Sequence, residues 1–196
     1  MAKITRKEGK IVALKQAVKS LDTSEGRVGW FESAVYEDGQ PVAGVAYVQE
    51  YGSPKRSIPP RPFFRPAAEE NQTAWANVAA QISKRVLAGK LPPESMNEAL
   101  CLEAEGDVRK NIKRLMAPPL SLLTLLARKD RKESDKRRKK AMKYGPQPEY
   151  KFGGKRLGQL AAQLNDGPPD VTGVSTKPLV DSGYLLATLT SQVTKK

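Results

Sequence analysis

Ser57-Ile58-Pro59-Pro60-Arg61-Pro62-Phe63-Phe64-Arg65-Pro66 is the stretch around which the rest of the chain has to arrange itself. Four prolines between Pro59 and Pro66 fix φ and remove four backbone donors, so the stretch is neither a helix interior nor a central strand. Each residue before a proline is also driven toward extended geometry. The stretch therefore reads as a stiff arm carrying two phenylalanines and two arginines. A stiff arm loses little conformational entropy on docking, which suits a contact between subunits. The same phenylalanines also suit the domain's own core.

Upstream, Val48-Gln49-Glu50-Tyr51-Gly52 places a carboxylate near this arm. On a local reading Glu50 caps a helix end beside Gly52 or pairs with Lys55 or Arg56. On a subunit reading it meets a basic arm residue, and the planar fork of Arg61 would grip it bidentately. The candidate interface residues are Glu50, Tyr51, Arg61, Phe63, Phe64 and Arg65, and the arm reading expects Arg61→Ala and Phe63→Ala to harm assembly more than folding.

Working outward, Pro41 to Tyr51 fits a short helix, with Pro41 suited to its start and Gly52 to the residue past its end. Ala67 to Leu87 predicts a helix with Trp75, Val78, Ile82 and Val86 as its apolar stripe. A further helix follows over about 94–116, where Met96, Leu100, Ala104, Val108 and Ile112 recur every four residues. Leu120 to Ala127 reads as a short helix running into a basic stretch, and Arg156 to Leu164 as another. Residues 4–21 read as an amphipathic helix, with Ile11, Leu14, Val18 and Leu21 on one face and Lys7, Lys10, Lys15 and Lys19 on the other. A last short element begins near Asp181, a suitable N-cap. Strands are expected near 27–35 and 187–194, with one or two more that the pattern does not place. The fold class is α+β: several helices on a small, mostly antiparallel sheet, with a proline-rich arm and a basic extension. The expected division is one domain over 1–127 and 173–196, with 128–172 a basic, partly flexible insertion that Gly145-Pro146 interrupts.

An acidic-aromatic-glycine triplet followed by a Pro-x-Arg-Pro-Phe arm resembles the tail-completion, or virion-morphogenesis, proteins of tailed bacteriophages. Lys177-Pro178-Leu179-Val180-Asp181-Ser182-Gly183-Tyr184-Leu185-Leu186 is similar to that family's C-terminal signature of Pro-Leu, an acidic residue, Ser/Thr-Gly and a leucine pair. Between them, Pro118-Pro119-Leu120-Ser121, Thr124 and Arg128-Lys129 resemble its central Leu-Ser-x-x-Thr stretch. The likeness covers about 26–128 and 176–194 and leaves out the basic stretch from about 129 to 172. It implies a structural subunit of the head–tail junction, forming a ring, six copies being the expectation, at the head-proximal end of the tail. Its partners would be neck and tail-tube proteins, and its place the virion, after assembly in the host cytoplasm.

The chain has no histidine and one cysteine. That removes the commonest general base and metal ligand, and any intrachain disulfide. No Walker loop and no paired-cysteine zinc spacing is present. No catalytic, cofactor or metal residues are assigned. An enzyme built on carboxylates, for instance Glu50, Glu69 and Glu70, has no visible base partner. Cys101, between Leu100 and Leu102, reads as a small core residue. No apolar run is long enough to span a bilayer, and the first residues lack a signal-peptide core.

The net charge is +13. Arg128 to Lys143 holds ten basic side chains against three acidic ones, a net of +7. Such a run is a solvated charge block, a surface for duplex phosphates, or a dock for an acidic partner. The candidate DNA-facing residues are Arg128, Lys129, Arg131, Lys132, Lys136, Arg137, Arg138, Lys139, Lys140 and Lys143. They support an alternative reading, a nucleic-acid-binding protein without sequence preference. Mutual repulsion along the run predicts a mobile, trypsin-sensitive segment.

Overall fold

A computed structural model describes residues 24–144, 155–164, 167 and 169–195, with 11, 12, 15, 16, 18 and 19 of the N-terminal segment; for 137–144, 155–157 and 163 it describes the backbone alone. In chain order the elements are β1 (Ser24–Gly29), α1 (Val42–Tyr51), a 3-10 turn (Pro54–Arg56), α2 (Phe64–Leu87), α3 (Ser95–Arg114), α4 (Leu122–Tyr144), α5 (Lys155–Gln163), α6 (Tyr184–Ala187) and β2 (Thr190–Lys195). Helices and a two-stranded antiparallel sheet make the α+β class expected. Two compact units form, Met1–Arg114 with Tyr184–Lys196, and Leu115–Gly183.

In the first unit β1 and β2 pair antiparallel, with Ser24 opposite Lys195 and Gly29 opposite Thr190. β1 starts three residues before the expected Arg27, and Trp30 has already left it. The indole Nε1 of Trp30 donates instead to the carbonyl of Leu185 at 2.9 Å. The further strands expected are not found among the described residues. α3 packs against α2 and against both strands. Gly26 permits that approach, because a Cβ there would stand 2.5 Å from the Cys101 sulfur. Cys101 is buried, and burial pushes its thiol up from its ordinary value. Phe63, Ile112, Leu189, Val42 and Val108 are the largest fully buried side chains.

α2 begins at Phe64, ahead of the expected Ala67, because Pro66 occupies its first turn, where a proline removes no intrahelical bond. Its apolar stripe is only partly covered. Trp75, Val78 and Ile82 are half-buried, and only Ala67 and Val86 of the helix are fully enclosed.

In the second unit the Ser121 hydroxyl accepts from the Thr124 amide at 3.2 Å and starts α4. α4 packs on α5, with Leu125, Leu126 and Leu160 buried. α4 does not stop at Ala127. It runs unbroken through the basic stretch to Tyr144, so the boundary expected at 128 falls inside a helix. Of the N-terminal helix expected over 4–21, the six described residues are helical, and the rest lies outside the described residues. The break at Gly145-Pro146 also lies outside them.

Candidate functional site

Val48 to Gly52 and Ser57 to Pro66 meet at the start of α2. α1 ends at Gly52, whose φ of 76° lies in the left-handed region glycine tolerates. A Cβ there would sit 2.8 Å from the Pro60 nitrogen. The chain then reverses tightly: Ser53 and Ile58 exchange backbone hydrogen bonds of 2.8 and 3.0 Å. Pro59 to Pro62 run back along α1, and the Arg61 amide donates to the Gln49 carbonyl at 2.7 Å. This delivers residues 63–65 to the Glu50 side chain.

Phe63 is the residue that flanks α2, and its own side chain offers no cap. Glu50 takes that role from α1. One carboxylate oxygen accepts the amides of Phe63 at 2.7 Å and Phe64 at 2.9 Å; the other accepts the amide of Arg65 at 3.1 Å. The fourth orphan donor of the helix start would belong to residue 66, which is proline and has none. One carboxylate and one proline thus satisfy the whole first turn, with the negative charge at the end the helix dipole favours. Arg65 Nε also donates to Glu50 at 3.0 Å.

Several expectations are corrected here. Phe63, named as an interface residue although it also suited the domain's own core, is 1% exposed and lies edge-on against Trp30, with ring centroids 5.9 Å apart, as the core alternative has it. Glu50 and Arg61 are 5% and 4% exposed. The ion-pair partner of Glu50 is Arg65; Arg61 instead donates to the Gln49 side-chain oxygen at 3.3 Å. Apolar burial of Phe63 and amide capping by Glu50 fold the arm onto its own chain. Phe64 is half-buried. Tyr51 and Arg65 do face solvent. The Arg65 guanidinium lies 4.7 Å from the Tyr51 ring centroid, and Tyr51 lies 4.7 Å from Tyr47. These three side chains form an exposed aromatic-cationic strip on the outside of the capped junction.

Burial alone would raise the Glu50 carboxyl, but the amides of Phe64, Phe63 and Arg65 and the Arg65 side chain outweigh it and hold the group below its ordinary value. Asp107 on α3 behaves likewise: burial opposes the charge, while Lys110 at 2.8 Å and the Trp75 indole at 2.9 Å prevail. A carboxyl depressed in the folded state adds stability that is complete above its unfolded value and is lost as pH falls through the folded one. Thermal melts followed by circular dichroism are therefore expected to be level from neutral pH to about 5 and to decline below that. Glu50→Gln should flatten part of the decline. An unchanged acid limb in that variant would remove Glu50 from this account.

The basic stretch is engaged at its start. The Arg128 guanidinium, on a side chain 9% exposed, donates to the carbonyls of Ser175 at 2.7 Å, Lys177 at 2.8 Å and Pro178 at 2.9 Å. Arg131 pairs with Asp181, as does Arg128 at 3.6 Å. Lys129 binds the Asp170 carboxylate, and Lys132 donates to the Gly173 carbonyl. Lys129 and two contacts from Thr172 hold the Asp170 carboxyl well below the usual carboxylate range. Four of the ten residues expected to face DNA are thus fixed on the 170–181 segment of their own chain. Lys136 is exposed; the side chains of Arg137, Arg138, Lys139, Lys140 and Lys143 lie outside the described residues.

The Gln49–Arg61 contact, the Trp75–Asp107–Lys110 cluster and the role of Asp170 are not among the features singled out from sequence. The available signal for the last was an acidic residue closing the glycine-proline loop downstream of a basic run. Among the described residues no cluster of histidine, cysteine and carboxylate groups gathers as metal ligands, and no helix is long and apolar enough to cross a membrane. Glu69 and Glu70 are exposed on α2, away in role from the amide-saturated Glu50. No family model, curated protein or solved structure matches this chain.

Proposed function

We propose that this chain is a structural subunit of a tailed-phage virion, forming or completing a ring at the head-proximal end of the tail and acting by binding rather than by chemistry. The observation that carries the reading is that its two most specific blocks, Glu50-Tyr51-Gly52 and Pro60-Arg61-Pro62-Phe63, are one construction. The carboxylate of the first caps the helix that the second begins. Such mutual dependence gives the pair of blocks a physical reason to occur together. A rigid junction also presents Tyr51 and Arg65 in fixed positions, and tyrosine and arginine are the side chains that most often carry binding energy at interfaces. Preorganisation of this kind lowers the entropic cost of assembly. The nucleic-acid alternative loses the four basic side chains already bound to the 170–181 segment.

Light scattering and electron microscopy of the purified protein, alone and mixed with tail tubes, test the proposal. Rings, or caps on tube ends, are the expected result. A strict monomer that joins neither rings nor tubes would overturn it.

A further inference from the structure

We infer that the groove between α2 and α3 receives the N-terminal segment of a second copy of this chain. The inference rests on the ring-subunit reading and names the contact that would build the ring.

The groove is a trough of about 370 Å³ in the first unit. Its apolar wall comes from Gly26 and Val28 of β1, Trp75 and Ala79 of α2, and Leu100 and Cys101 of α3. It exists because α2 is under-covered: between Ala67 and Val86 no residue of that helix is fully buried. Trp75, Val78, Ala79 and Ile82 sit at helical spacing with one side still open to solvent. Apolar surface left half-open along a trough is the kind of patch that marks an interaction site.

The same chain carries a matching stripe. Residues 11, 12, 15, 16, 18 and 19 are helical. Ile11 and Val18 stand two helical turns apart on one face and are 53% and 54% exposed. Sequence periodicity extends that face to Leu14 and Leu21. The charges also complement one another. Residues 1–21 hold Lys3, Arg6, Lys7, Lys10, Lys15 and Lys19 against Glu8 alone. α3 exposes Glu98 and Glu103, each next in sequence to a groove-lining residue, Asn97 or Ala104.

Among the described residues of one copy neither surface satisfies the other: Ile11 and Val18 are exposed and the groove is open. A donor stripe and an acceptor groove at different places on one chain make a head-to-tail contact, and repetition of that contact closes a ring when its rotation suits the symmetry. A basic amphipathic helix laid in an apolar groove is a common mode of recognition between proteins.

The test uses the full chain with Cys101→Ala, which removes its one native thiol. One preparation adds Val18→Cys and a second adds Ala76→Cys on the groove wall. Under mild oxidation the mixture is expected to yield a disulfide-linked pair of one chain of each kind on a non-reducing gel. Val18→Asp is expected to weaken self-association about 30-fold or more. Its unfolding midpoint should match wild type, because Val18 is exposed in the folded chain. A chain carrying both cysteines that closes on itself, with no link in the mixture, would overturn the inference in favour of cover by the chain's own segment. Rings that form normally without any cross-link would also overturn it, leaving the ring-subunit reading in place. Absence of both rings and cross-links would remove the two together.

Discussion

Phe63→Ala is expected to destabilise the first unit by about 3–5 kcal/mol. The ring is fully enclosed within its own chain and meets Trp30 edge-on at 5.9 Å. Its removal opens a cavity at the point where the arm, α2 and the Trp30 segment converge. Relaxation is limited there, because the backbone at 63 is tied to Glu50 at 2.7 Å and the Phe63 carbonyl accepts from Asn111 at 3.4 Å. The chain's two tryptophans, Trp30 and Trp75, both belong to the first unit. Urea unfolding followed by tryptophan fluorescence therefore isolates the effect. The expectation drawn from the arm's stiffness was the reverse, with assembly failing before folding. A variant that melts like wild type yet no longer assembles would mean that Phe63 leaves the core to meet a neighbour.

Arg128→Ala is expected to destabilise the second unit by about 3 kcal/mol or more, because a buried acceptor left without its donor costs about 1–3 kcal/mol. Three carbonyls, of Ser175, Lys177 and Pro178, lose their donor at once, and Asp181 loses one of two cationic neighbours. Arg128→Lys should recover only part of the loss, since an ammonium cannot span three acceptors as a planar fork does. Tryptophan fluorescence is blind to this unit, so circular dichroism and limited trypsin digestion are the measurements to use. The alanine variant should be cut faster than wild type between Lys129 and Lys136. Equal digestion and equal melts would show that the 170–181 segment is held by other contacts.

Local chemistry made much of this fold legible. Pro41 and Gly52 bracket α1 because one tolerates a helix start and the other a left-handed exit. The four-residue recurrence from Met96 to Ile112 marks α3, and β2 was within reach of a strand assignment at 187–194. What stayed hidden depends on partners distant in sequence. Like charges in Arg128–Lys143 argue for repulsion and disorder when seen alone. Asp170, Asp181 and a row of carbonyls forty or more residues later are what hold the first turns of that run in place. The Glu50 junction failed for a related reason. Its carboxylate was expected either to cap the helix end beside Gly52 or to enter an ion pair, whereas it caps the start of the following helix through three backbone amides, which no residue letter announces. Pro66 was read as a barrier to helix, although in a first turn it is the residue that leaves no donor to satisfy.

The pairing of β1 with β2 sets an order on synthesis. Ser24 is among the first described residues made, and its partner Lys195 among the last. The ribosome therefore releases α1, α2 and α3 long before the strand that completes their sheet exists. Leu115–Gly183, by contrast, is continuous in sequence and has its pieces in hand once Gly183 emerges. The later-made unit is thus free to fold first, while the earlier-made one waits with an unpaired strand edge and a long loop still to close. Nascent chains arrested before Thr190 should accordingly depend on chaperones in a way that finished chains do not.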